Sequence, residues 1–195
     1  AVLSAGLAPV FLVGGWTLAA RRQPDGYDAI RDTISALAGF GATDRWVMTV
    51  GLIGLGICHI VTAAGLRPAA TPGRVVLATG GVATLLVAAF PVPSTGTSSA
   101  HFAAALVAFG GLTLWPALAR TRVPDATVPL VLRPAVSLAA TAALTSLLGW
   151  FGIELFSDGH RVGLSERVLA AGQALWPFCV ATWCWTVRRR VASVG

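Results

Sequence analysis

The side chains able to do acid–base chemistry in this chain fall into three groups. The first is Asp28-Ala29-Ile30-Arg31-Asp32-Thr33-Ile34-Ser35-Ala36-Leu37-Ala38-Gly39. At helical spacing Asp28, Arg31, Asp32 and Ser35 share one face, and Ile30, Ile34 and Leu37 share the other. Asp28 can cap the start of such a helix and Gly39 can end it. The second group runs from Phe90-Pro91-Val92-Pro93 to Ser98-Ser99-Ala100-His101. Ser98 or Ser99 is a natural cap, which puts His101 in the first turn of the following helix. A helix N-terminus disfavours imidazolium, so His101 is a candidate proton acceptor. The third group is Glu154-Leu155-Phe156-Ser157-Asp158-Gly159-His160-Arg161, followed by Gly163-Leu164-Ser165-Glu166-Arg167. Glu154 precedes Asp158 by one helical turn. Ser165 can cap the next helix, and Gln173 then lies about 9 Å deeper at 1.5 Å per residue.

Acid–base chemistry at neutral pH needs a carboxyl group whose affinity for its proton is raised, and a desolvated pocket supplies that. Asp32 and Glu154 are the candidate acids and His101 the candidate base. Ser35, Trp150, Asp158, His160, Arg167, Gln173 and Trp176 are candidates to line the pocket, with Trp150 and Trp176 as apolar walls. Asp25, Asp28, Asp44 and Glu166 read as surface or capping charges. Hydrolysis through Ser35 and His101 is a sub-case, although no Gly-x-Ser-x-Gly occurs. Asp32, His101, Glu154, Asp158 and His160 have no diagnostic metal-ligand spacing, so no metal is expected. His59 lies within an apolar stretch, where an ionisable residue is a functional candidate by default. It has no acid or second histidine at its depth, so neither haem nor any other cofactor is expected.

The elements that must position these residues follow from composition. The chain has 195 residues, 55% of them apolar and 11% charged, against about 25% charged in a soluble domain. Six apolar stretches, each near the ~20 residues that span a bilayer, occupy the sequence. They are Ala1–Ala20, Trp46–Leu66, Val75–Phe90, Ala100–Ala119, Ala135–Leu155 and Val168–Val187. Arg67 to Arg74 reads as a tight turn. The expected fold is therefore an all-α integral membrane protein: one transmembrane domain over 1–195, a six-helix bundle with a short amphipathic interfacial helix between the first two spans. The apolar run to Ala20 resembles a signal peptide, but it fills a bilayer width without a basic leader and reads as a retained span. Gly51, Gly54, Gly56, Gly80 and Gly81 allow close helix approach, and Ser137, Thr141 and Thr145 share a face suited to interhelical hydrogen bonds.

All fourteen basic residues are arginine, confined mostly to short connections and the Arg188-Arg189-Arg190 tail. That pattern signals topology rather than a nucleic-acid surface. It places both termini in the cytoplasm, and seven of the eight acids, all but Asp125, at the outer side. Trp16, Trp46 and Trp150 then mark the outer boundary and Trp115, Trp183 and Trp185 the inner one, with Trp176 near mid-membrane. Cys58, Cys179 and Cys184 lie in apolar stretches and read as small hydrophobes.

Three motifs resemble a known family. Asp32-Thr33-Ile34-Ser35 is similar to its Asp-x-x-Ser stretch, and Phe90-Pro91 with His101 to its Phe-Pro…His pattern. Gly163-Leu164-Ser165-Glu166-Arg167 with Leu175-Trp176 resembles its closing Gly-Leu-x-x-Arg…Leu-Trp pattern. The family is the domain of unknown function 998 group of bacterial multi-pass membrane proteins. The resemblance implies a six-helix bundle and no established activity. Two functions fit the residues. One is an outward-facing polar pocket in the cell membrane that binds a lipid or other hydrophobic small molecule. The other is a membrane-embedded enzyme with an Asp/Glu–His pair acting on a lipid or isoprenoid-like substrate, for which Asp32, His101 and Glu154 should converge. A transporter fits less well, because deep charges and a broken-helix pair are lacking.

Overall fold

Apolar stretches of bilayer length become helices because a chain in lipid must satisfy its backbone polar groups internally. In the computed structural model, which describes residues 1–121, 128–157 and 159–192, these are α1 (Val2–Ala20), α3 (Trp46–Gly65), α4 (Thr71–Ala89), α5 (Ser99–Ala119), α6 (Pro134–Phe156) and α7 (Val162–Ala192). A short α2 (Ile34–Ala38) lies between α1 and α3, and a 3-10 turn, Leu130–Leu132, precedes α6. Among the described residues six helices are long and apolar enough to cross a membrane, and there is no strand. The chain is an all-α, multi-pass membrane protein. Asp125 and its neighbours Arg122 and Pro124 lie outside the described residues.

The six long helices close a ring in chain order. α1 packs on α3, α3 on α4, α4 on α5, α5 on α6, α6 on α7, and α7 returns to α1. The α3–α4 seam is tight because a methyl group at Gly56 would sit 2.7 Å from the Gly81 carbonyl oxygen, so only glycine permits that approach. The α5–α6 seam is different. A methyl group at Gly110, Gly149 or Gly152 meets nothing within 4 Å. One apolar cluster, including Leu12, Leu37, Met48 and Leu55, fills the end of the ring beneath α2. A second, including Leu77, Trp115, Leu132 and Val180, fills the opposite end.

Several boundaries differ from those read in the sequence. α4 starts at Thr71, with Pro72 in its first turn, where a proline costs no hydrogen bond, so the tight turn is shorter than Arg67 to Arg74. α7 starts at Val162 rather than Val168. Ser165 is therefore not a cap, and its hydroxyl donates back to the Val162 carbonyl at 2.9 Å. α2 begins at Ile34, capped by Thr33, whose Oγ1 accepts from Ala36 N–H at 3.1 Å. Asp28 caps no helix; its carboxylate accepts from the Ile30 N–H at 2.8 Å within a turn. Ile30 is consequently exposed while Ile34 and Leu37 are buried. Trp115 is fully buried, packed in the apolar cluster at the end opposite α2. Ser137 bonds the Val131 carbonyl and Thr141 that of Ser137, so these hydroxyls do not cross to a neighbouring membrane helix.

Candidate functional site

The site is assembled where the α1–α3 connection folds onto the first turns of α7. Gly163 makes this possible: the carbonyl oxygens of Asp32 and Ala29 occupy the place a side chain would take. Leu164 N–H donates to the Ile30 carbonyl at 3.0 Å. The Arg167 guanidinium donates to three carbonyls: Ala29 and Asp32 at 2.7 Å and Gly163 at 2.9 Å. It also donates to the Tyr27 hydroxyl. A planar group with five fixed donors suits such a clamp. Arg167 thus anchors the 27–33 segment.

Beside it, Glu166 is 3% exposed. Its carboxylate accepts from the Ile34 N–H at 2.5 Å and from the Ser35 hydroxyl at 3.3 Å. The first N–H groups of a helix have no partner within it, and Glu166 supplies one to α2 from the far end of the chain. His101 is held from the other side. Ser98 caps α5 by accepting from the His101 N–H at 3.2 Å. The His101 Nδ1 lies 2.8 Å from the Phe90 carbonyl oxygen. A carbonyl only accepts, so Nδ1 carries the proton and Nε2 of the neutral ring is left as an acceptor.

Glu166, Ser35, Thr33 and His101 form the polar end of a cavity of about 300 Å³ between α5 and α6. Its remaining wall is apolar and aromatic, with Leu106, Phe109, Leu148 and Phe151 among the lining residues. Phe109 and Phe151 meet across it with ring centroids 5.3 Å apart. His101 and Gly110, at its two limits on α5, are about 14 Å apart along the helix axis. A second, smaller cavity of about 50 Å³ lies inside the ring and shares Ser35, Ala105, Phe109 and Glu166 with the first.

Of the residues singled out in the sequence, His101 and Ser35 line the larger cavity, and Ser35 and Gln173 line the smaller. Gln173 is buried, and its Nε2 donates to the Phe109 carbonyl and to Thr113 Oγ1, both at 2.9 Å. Asp32, His101 and Glu154 are not brought together. The Asp32 carboxylate accepts from the Asp28 N–H at 2.8 Å and stays within its own turn. Glu154 accepts from Trp150 Nε1 at 3.2 Å and from the Arg161 N–H at 3.0 Å, tying the α6–α7 connection. Neither carboxylate lines a cavity described above. Trp150 thereby serves Glu154, His160 is exposed, and Trp176 packs on the apolar cluster at the opposite end. Arg167 positions the wall without lining it. Asp158 lies outside the described residues. The acid in the cavity wall is Glu166, which the sequence had suggested only as a capping charge. It does cap, but it caps α2 across 132 residues of chain, and local spacing carries no sign of that.

No curated protein and no solved structure matches the chain. Residues 6–183 match the family described as a protein of unknown function, DUF998, and the chain belongs to that family.

Proposed function

We propose that the protein binds a membrane lipid, or another hydrophobic small molecule with a polar head, in the α5–α6 cavity. The observation that carries this reading is the cavity's polarity gradient. Glu166, His101, Ser35 and Thr33 stand at one end and aromatic and aliphatic side chains along the rest. Sites for small ligands are mostly apolar with a few placed polar groups, and about 300 Å³ is the lower end of their size range. The glycines Gly110 and Gly152 leave the seam open to such an occupant. The arginine distribution supports both termini in the cytoplasm of a cell-membrane protein, which makes the cavity an outward-facing one.

The test is mass spectrometry of the gently purified protein beside Gly152→Leu, which puts a side chain into the cavity where a β-carbon meets no neighbour within 4 Å. A defined lipid or small molecule should accompany the wild type and be depleted at least several-fold in the variant. Equal, unselective lipid in both contradicts the reading.

One observation favours a second reading, a membrane-embedded enzyme on a lipid or isoprenoid-like substrate. Glu166 and His101 both line one mostly apolar cavity, the environment in which a carboxyl and an imidazole exchange protons with a substrate. Chemical change of the accompanying molecule, lost in His101→Ala while binding persists, separates turnover from binding.

A further inference from the structure

The polar end of the α5–α6 cavity holds more hydrogen-bond acceptors than donors. Glu166 brings two carboxylate oxygens. One accepts from the Ile34 N–H and the other, at 3.3 Å, from the Ser35 hydroxyl, and each oxygen can take a further bond. His101 gives its Nδ1 proton to the Phe90 carbonyl, so its ring adds no charge. The donors are fewer. The Ser35 hydroxyl is spent on Glu166. The Thr33 hydroxyl accepts from the Ala36 N–H, and its own proton has no acceptor among the described residues. Among those residues no arginine lines the cavity, and Glu166 has no ion pair. Arg167, its neighbour in sequence, is committed to three backbone carbonyls and the Tyr27 hydroxyl.

From this imbalance we infer that the head held in the cavity donates hydrogen bonds and carries no negative charge: the ligand is a long-chain alcohol or amine, not a phosphate or a carboxylate. The inference rests on the reading that the cavity binds a hydrophobic molecule by its polar end. An anionic head would leave water with no cation to meet it, and a buried charge is costly unless paired. The first N–H groups of α2 offer an anion nothing either, since those of Ile34 and Ala36 are taken by Glu166 and Thr33. An alcohol suits both sides of the imbalance: it gives its proton to Glu166 and accepts that of Thr33. An ammonium supplies the counter-ion that Glu166 lacks. Either head gives the carboxylate a charge-assisted hydrogen bond, and the tail then lies along the apolar wall that includes Phe109 and Phe151.

Competitive photolabelling of the whole chain in phosphatidylcholine bilayers tests this. The probe is hexadecanol with a diazirine near the end of its chain, and label is mapped on Phe109, Leu148 and Phe151. The competitors share that chain and differ only in the head: hexadecanol, hexadecylamine, hexadecyl phosphate and hexadecyl methyl ether. The alcohol, the amine or both should displace the label, and the arm that displaces it better identifies the head. The phosphate lacks a cation to pair with and the ether lacks a proton to give, so each should compete at least about tenfold more weakly. Cavity label that the phosphate or the ether displaces as well as the alcohol overturns the inference and leaves the binding reading standing. So does a cavity labelled by a diazirine phospholipid but not by the alcohol probe. No cavity label from either probe overturns both.

Discussion

Replacing Glu166 tests whether the α2 lid is held from α7. In Glu166→Ala the Ile34 N–H and the Ser35 hydroxyl lose their acceptor in a buried setting. At about 1–3 kcal/mol for each unsatisfied group, with Ser35 only half-buried, the loss is about 2–4 kcal/mol. For a chain of 195 residues, at about 2–4 °C per kcal/mol, this lowers the apparent unfolding temperature by about 4–16 °C. Glu166→Gln keeps a carbonyl oxygen for Ile34 and should lose less than half as much. The assay is intrinsic tryptophan fluorescence during heating in one detergent, with amide hydrogen exchange at 34–38 as the local readout. Faster exchange there should accompany the fall in Glu166→Ala. An unchanged unfolding temperature with unchanged exchange refutes the cap. Equal losses in Gln and Ala variants refute the hydrogen-bond argument and assign the effect to the charge.

Other expectations follow from the same geometry. Tyr27 is the chain's one tyrosine, and burial pushes its hydroxyl above the ordinary 10.0, against the opposing pull of Arg167. The neutral phenol is the favoured form, so its contribution to stability is present below about pH 10 and lost as pH rises through the folded value. Near-ultraviolet phenolate absorbance should therefore have its midpoint above 10, and a midpoint at or below 10 contradicts the burial of that hydroxyl beneath the 27–33 segment. Asp44 is held below its usual 3.8, first by its hydrogen bond from Arg22 at 2.8 Å. Its contribution is present above about pH 4 and lost as pH falls through the lower folded value. A carboxyl-carbon NMR titration should show a low midpoint that rises towards the ordinary value in Arg22→Ala. Gly163→Ala forces a methyl group onto two carbonyl oxygens and should cost about 1–3 kcal/mol. Gly152→Ala, which meets open space, should be neutral or stabilising by up to about 1 kcal/mol; comparable losses in both variants would contradict the contrast between the tight contact of α7 with the 29–32 segment and the open α5–α6 seam.

Apolar length was enough to find six helices, because the bilayer demands about twenty residues per span whatever the side chains are. It misplaced the start of α7 for a physical reason. Hydropathy treats Glu166 and Arg167 as charges that need water, whereas here the 27–35 segment satisfies them with N–H, hydroxyl and carbonyl groups. The same blindness affects α2. Asp28 and Asp32 have helical spacing, yet the Asp28 N–H is taken by the Asp32 carboxylate, a local bond that competes with the helix. His101 was legible because its cap and its proline-ended predecessor are neighbours in sequence. The partnership of Glu166 with α2, and the meeting of α5 with α6 around a cavity, depend on ring closure between segments far apart in the chain.

The central claim is that the α5–α6 cavity holds a hydrophobic molecule by its polar end. The most direct measurement is photolabelling in bilayers with a lipid whose acyl chain carries a diazirine, followed by mapping of the labelled residues. The account predicts label concentrated on cavity residues such as Phe109, Leu148 and Phe151, and reduced in Gly152→Leu. Label spread evenly over the exposed faces of all six helices, unaltered by that substitution, would contradict it.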